Sequence, residues 1–139
     1  MARDARDRGA MSVEYVIIVP MLFLVFSLIY AFGRVAQVGA TIDSGTRDAA
    51  RVATQARTYQ DASSRAVQVV REAIGSSSKQ CLDSLAVDVA PRTFQPGDTI
   101  TVTARCNYPL SDLGLPGAPG SITVHSQFSS MLDPNRGVQ

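Results

Sequence analysis

Glu14 is the residue whose type and position most clearly point to chemistry. It carries the only charge between Gly9 and Arg34, and it stands where a long apolar run begins. A carboxylate in a membrane helix costs on the order of 2 to 3 kcal/mol near the bilayer centre and less at the interface, so an acid here is a candidate functional residue. The alternative is an acid at a helix start, where the helix dipole favours negative charge.

No set of side chains in the sequence predicts catalysis. The two cysteines would need two further ligands to hold zinc, and the single histidine, His125, falls on the polar side of its predicted strand. The segment from Gly114 to Gly120 contains two prolines and precedes a strand, unlike a phosphate-binding loop. A net charge of +1 gives no basic surface for nucleic acid. We expect no enzyme, no metal, no cofactor and no nucleic-acid partner.

The element that must hold Glu14 is an apolar helix. Residues 15–33 contain no Asp, Glu, Lys, Arg or His. At about 1.5 Å per helical residue this run spans roughly 28 Å, close to the thickness of a bilayer core. The apolar residues, 45% of a 139-residue chain, are therefore too unevenly spread for a soluble cytoplasmic globule. We assign residues 1–9 to a leader and residues 10–33 to a transmembrane helix.

Helical periodicity continues beyond the apolar run. Apolar and small residues recur at spacings of three and four from residue 35 to residue 73, and Asp43 and Asp61 each precede an arginine by four residues. This predicts an amphipathic helical stalk over residues 34–75, either continuous or broken near residues 58–63. The stripe is rich in Gly and Ala, so it suits close packing against a neighbouring subunit or, equally, against its own C-terminal domain.

After residue 78 the period of the apolar residues changes to two. Residues 85–89 and 100–104 alternate around a Pro-Gly-Asp turn at 96–98, which predicts a hairpin, and residues 122–128 can add a third strand. Residues 129–139 are expected to form a frayed tail. The fold class is therefore α+β, with a long N-terminal helix, half transmembrane and half amphipathic, followed by a small antiparallel sheet domain over residues 76–139.

Cys81 and Cys106 flank the predicted hairpin and are plausible disulfide partners. The bond would close a loop of about 26 residues and contribute roughly 3 to 4 kcal/mol on the chain-entropy model. A disulfide places the sheet domain in an oxidising compartment. Counting basic residues on either side of the span gives no preferred orientation. The predicted disulfide, which requires the sheet domain to lie outside the cytoplasm, therefore favours a cytoplasmic N-terminus.

Three interpretations of the N-terminus remain open. A cleaved signal peptide would use Ala31, Phe32 and Gly33 as its small-x-small site, but the apolar core is long and contains Pro20. A plain signal anchor would only tether the sheet domain. In the third interpretation Glu14 and its spacing from Gly9 are functional: with Ala10 as position one, Glu14 is position five.

Residues 8–15, including Gly9, Ala10, Glu14 and Tyr15, resemble the class III leader of type IV pilins and, in Glu followed by Tyr, the tight-adherence pilins. Residues 46–51, with Gly33 and Arg34 at the end of the span, resemble the TadE-like family of pseudopilins. The resemblance covers about residues 6–57, and the sheet region fits the family only in general character.

The resemblance implies that a membrane prepilin peptidase cuts after Gly9 and leaves a new ammonium at Ala10. That ammonium can pair with Glu14 of an adjacent subunit and compensate its buried charge. Pro20 would bend the helix, although proline is common in membrane helices. The implied partners are lipid, the prepilin peptidase, other pilin or pseudopilin subunits, and the assembly platform with its motor ATPase.

These expectations favour a minor pilin or pseudopilin of a tight-adherence (Flp-type) pilus or a related secretion apparatus. The substantial sheet domain favours a minor subunit, because tight-adherence major pilins are little more than the helix. The alternatives are an unprocessed, membrane-anchored extracytoplasmic binding module and a secreted domain that starts at Arg34.

Overall fold

The computed structural model describes residues 4–75, 78–113, 117 and 119–135, with side chains from residue 14 onward except those of residues 112 and 113. Three helices and a short 3-10 turn accompany three strands in these ranges. The elements are α1 (Asp4–Gln55), α2 (Tyr59–Ile74), α3 (Lys79–Asp83), β1 (Ala86–Ala90), β2 (Thr99–Pro109), η1 (Leu110–Leu113) and β3 (Ser121–Met131).

Helix α1 has 52 residues and is about 78 Å long at 1.5 Å per residue. An 18-residue window within Glu14–Gln55 has a mean hydropathy of 2.5, and 6% of it is buried. Side chains such as Phe23 and Leu24 are about 70% exposed, at 68% and 72%. The predicted apolar helix is thus confirmed as long and apolar enough to cross a membrane.

The chain reverses direction after α1. The helix ends at Gln55, and Thr58 takes an extended conformation and caps α2, its side-chain oxygen accepting a hydrogen bond from the Asp61 amide at 3.2 Å. Gly45 on α1 lies against Ala73 near the end of α2, so the two helices run antiparallel. Residues 34–75 therefore form two helices in a hairpin. The break lies at residues 56–58, at the edge of residues 58–63, where the sequence allowed either a continuous helix or a break.

Small residues form the contact between α1 and α2. Ala49 and Ala53 on α1 and Ala62 and Ala66 on α2 are all 0% exposed. Side chains this short let the two backbones approach closely. The sequence allowed another subunit or the C-terminal domain as the partner of this stripe; the structure shows its two halves packed on each other and on the sheet of the C-terminal domain.

The three strands form one antiparallel sheet in the order β1-β2-β3. One face of the sheet packs against the helix hairpin. The inward side chains of β2 form the centre of the core together with residues of α1 and α2; they are Ile100, Val102, Ala104, Cys106 and Tyr108. The Tyr59 hydroxyl also donates to the Val89 carbonyl at 3.2 Å, which joins α2 to β1. We call this unit, from residue 34 to residue 135, the head.

The expected frayed tail begins later than the sequence predicted. Residues 129–131 complete β3, where Ser129 pairs with Thr101, and Leu132 is 0% exposed. The Leu132 amide donates to the Asp98 carbonyl at 2.8 Å. The prediction was wrong because serine is typical of loops, whereas here Ser129 and Ser130 pair with Thr101 and Ile100 of β2. Residues 136–139 lie outside the described ranges.

The predicted disulfide is confirmed. Cys81 on α3 and Cys106 on β2 are bonded, with their Cα atoms 5.0 Å apart, and both are buried at 1% and 2% exposure. The bond fastens the five-residue helix α3, which is too short to be stable alone, to the central strand of the sheet.

Candidate functional site

The residues that the sequence predicts for assembly lie along the N-terminal half of α1. Glu14 is exposed and has no hydrogen-bond or ion-pair partner in the described part of the chain. Tyr15 beside it is 63% exposed. Gly9 and Ala10 belong to α1, but their side-chain environment falls outside the described residues. An unpartnered carboxylate next to exposed apolar side chains can accept a charge-assisted hydrogen bond from another molecule.

Pro20 lies in the interior of α1, and the helix continues through it. Proline lacks an amide hydrogen, so one backbone carbonyl a turn earlier has no helical donor. Ser27 is the sole hydroxyl-bearing residue that the structure describes between Val16 and Ile29. In lipid, this free carbonyl is a position at which a neighbouring helix or water can donate.

The structure separates the residues predicted for assembly from the disulfide. Glu14 and Arg34 are 20 residues apart on one helix, which is about 30 Å. Cys81 lies at the Arg34 end, since both line a cavity of about 350 Å³ between α1, α2, α3 and β2. The predicted site residues therefore form two groups, one along the apolar half of α1 and one in the head.

Asp43 and Arg47 connect α1 to the sheet. The predicted Asp43–Arg47 ion pair is present at 3.1 Å, and the other Asp43 oxygen accepts from the Ser126 hydroxyl at 2.9 Å. The Arg47 guanidinium lies 5.3 Å from the Phe128 ring centroid, a cation–π distance. Helix α1 is thus joined to β3 by polar contacts.

The sequence identified some of these contacts and missed others. The Asp61–Arg65 pair, predicted from its spacing of four, is present at 2.8 Å. The Asp43–Ser126 contact joins residues 83 positions apart, and no local pattern marks it. The sequence identified Arg34 as the first charged residue after the span. It did not predict the cavity beside Arg34, because that cavity depends on how α2 and β2 pack.

Comparison with known proteins finds one similarity. No curated protein and no solved structure matches the chain significantly. A family model described as TadE-like protein matches residues 9–51. The matched segment begins at Gly9 and includes Glu14, the whole apolar run and most of the part of α1 that belongs to the head. Over residues 9–51, and not over α2 or the strands, the chain is similar to TadE-like proteins.

Proposed function

We propose that this protein is a minor pilin or pseudopilin that assembles into a tight-adherence (Flp-type) pilus or a related secretion apparatus. The observation that carries the proposal is the TadE-like match over residues 9–51, which coincides with the exposed apolar half of α1 and its junction with the head. In this proposal α1 crosses the cell membrane with its N-terminus in the cytoplasm, and the head lies outside.

Processing is the first step of the proposed function. A prepilin peptidase cuts after Gly9, where the missing side chain lets the backbone enter a narrow active site. The cut releases the leader and leaves the apolar helix on the mature chain. It also creates an ammonium at Ala10, one helical turn before Glu14. The mature N-terminus then carries one positive and one negative group at the edge of the apolar segment.

Assembly then depends on the apolar half of α1. The small-residue stripe of the second half is already covered by α2 and the sheet, so contacts with other subunits fall on residues 14–33. The Glu14 carboxylate of one subunit pairs with the Ala10 ammonium of the next, which offsets the cost of holding each charge among apolar helices. Pairing of this kind fixes the relative height of two neighbouring helices.

The size of the head favours a minor subunit. About 100 residues follow Gly33, and they fold into helices and a sheet stapled by a disulfide. Dense stacking of apolar helices leaves limited room for a unit of this size at every position. A subunit at a tip, or one that starts assembly, has that room.

Replacement of Gly9 tests the proposed processing. Gly9→Leu should leave a full-length precursor in the membrane, detected by its mass. Gly33→Leu is the matched control, because a Cβ at Gly33 meets nothing within 4 Å and the signal-peptide alternative would place its cut there. A mature chain starting at Ala10 from Gly9→Leu, or a block caused by Gly33→Leu, contradicts the proposal.

A further inference from the structure

A cavity of about 350 Å³ opens beside α1 immediately after the apolar run. Arg34, Gln37 and Thr41 contribute from α1, and Ile74 and Tyr108 contribute from α2 and β2. The α1 residues are three and four apart, so they share one face of the helix. The volume is at the lower end of the range for small-ligand sites, roughly 300 to 1,000 Å³.

Arg34 supplies the chemistry of this cavity. Its Nε is buried and has no hydrogen-bond partner in the described part of the chain. Buried donors are nearly always paired, and leaving one of a charged group unpaired is costly. Among the described residues that line the cavity, Arg34 carries the only charge and none is a carboxylate. The cavity is therefore suited to an anion from outside the chain.

The cavity lies at the depth of the membrane surface when α1 spans the bilayer. Arg34 is the first charged residue after residues 15–33. The head, which begins at residue 34, therefore follows the apolar run directly. Phosphate groups of lipids are the anions concentrated at this depth, and arginine matches their geometry with two parallel hydrogen bonds.

We infer that this cavity binds the phosphate of a phospholipid headgroup, held by the Arg34 guanidinium with the Gln37 amide as a further donor at the rim. The inference rests on the membrane-anchored function proposed above. A bound lipid fixes the depth and the rotation of α1 in the bilayer, and it holds the head against the membrane until the subunit leaves for an assembly.

Binding of a defined lipid to the full-length chain tests the inference. The protein is held in a maltoside detergent, which contains no phosphate, and a short-chain phosphatidylglycerol is added while the Arg34 Nε–H resonance is followed by NMR. Arg34→Gln removes the charge, and Arg34→Lys keeps the charge but lacks Nε. Arg51→Gln is the matched control, since Arg51 is exposed and lies about 25 Å further along the same helix.

The lipid should bind the native chain and Arg51→Gln with equal affinity and should shift the Arg34 resonance. Loss of a charge-assisted hydrogen bond predicts at least roughly tenfold weaker binding by Arg34→Gln, with a smaller loss for Arg34→Lys. Equal affinity of Arg34→Gln and the native chain overturns the inference. It is also overturned if a diacylglycerol with the same tails binds as tightly, or if inorganic phosphate saturates the resonance at the same concentration.

The same preparations separate failure of this site from failure of the proposed function. A chain that is membrane-inserted and begins at Ala10, but shows no preference for phosphatidylglycerol, rejects only the lipid site. A chain that is not membrane-inserted rejects the function on which the site rests.

Discussion

Gly45 lies at a close approach of α1 to α2, and replacing it by alanine tests how the head is packed. A Cβ built on Gly45 would lie 2.7 Å from the Ala73 Cβ and 3.8 Å from the Val70 Cα. Comfortable carbon–carbon separations are about 3.5 to 4.0 Å, so α1 and α2 must move apart by about 1 Å. Ala73 has no further side-chain bond to rotate, and the shift therefore falls on the backbone.

Two opposing terms set the size of the effect. Overpacking costs about 1 to 3 kcal/mol, while alanine is about 1 kcal/mol better than glycine in a helix. Gly39→Ala is the matched control, because it gains the same helix preference and its Cβ meets nothing within 4 Å. Gly45→Ala should therefore be about 1 to 3 kcal/mol less stable than Gly39→Ala, or about 4 to 8 °C lower in Tm for each kcal/mol.

The assay is thermal unfolding of the full chain in detergent, with amide hydrogen exchange of α2 as a local readout. Adding Ala73→Gly to Gly45→Ala removes the collision, so the two changes should be non-additive by a similar 1 to 3 kcal/mol. A Gly45→Ala chain as stable as Gly39→Ala, or additive effects in the double variant, would refute the packing of α1 on α2.

Three further predictions concern assembly and the head. Glu14→Ala should permit cleavage after Gly9 yet reduce incorporation into pili, measured by the subunit content of sheared filaments, and unchanged incorporation would remove the role proposed for Glu14. Non-reducing mass spectrometry should find Cys81 linked to Cys106, and free thiols in the native protein would contradict this disulfide. Replacing both cysteines by serine should lower the free energy of unfolding by about 3.5 kcal/mol on the chain-entropy model. Ser126→Ala removes the hydrogen bond to Asp43 and should lower the free energy of unfolding by about 1 kcal/mol. Arg65→Ala breaks only an exposed ion pair on α2 and should lower it by a few tenths of a kcal/mol. Equal losses for the two variants in chemical denaturation would show that Ser126 does not join α1 to the sheet.

The elements of the fold were predictable because they rest on local patterns. An uncharged run of apolar residues can only be stable where it is kept from water, and alternation around Pro96 and Gly97 predicted the hairpin. Cys81 and Cys106 followed from their positions beside that hairpin. The spacing of four likewise predicted the Asp43 and Asp61 ion pairs.

What the sequence left open depends on contacts between distant segments. The small-residue stripe fits another subunit or the chain's own head equally well, since Gly and Ala pack against any close surface. The reversal at residues 56–58 depends on the Thr58 cap, a weak signal within a polar stretch. The cavity that Arg34 lines forms only when Ile74 and Tyr108 come together with α1, which no local pattern reports.

The N-terminal residue of the protein isolated from its native membrane tests the proposed function most directly. Intact mass and N-terminal peptide analysis on the same sample identify it without any substitution. We predict Ala10, with the apolar half of α1 retained. A chain that begins at Met1 would support an unprocessed anchor, one that begins at Arg34 would support a secreted domain, and either result contradicts a pilin-type subunit.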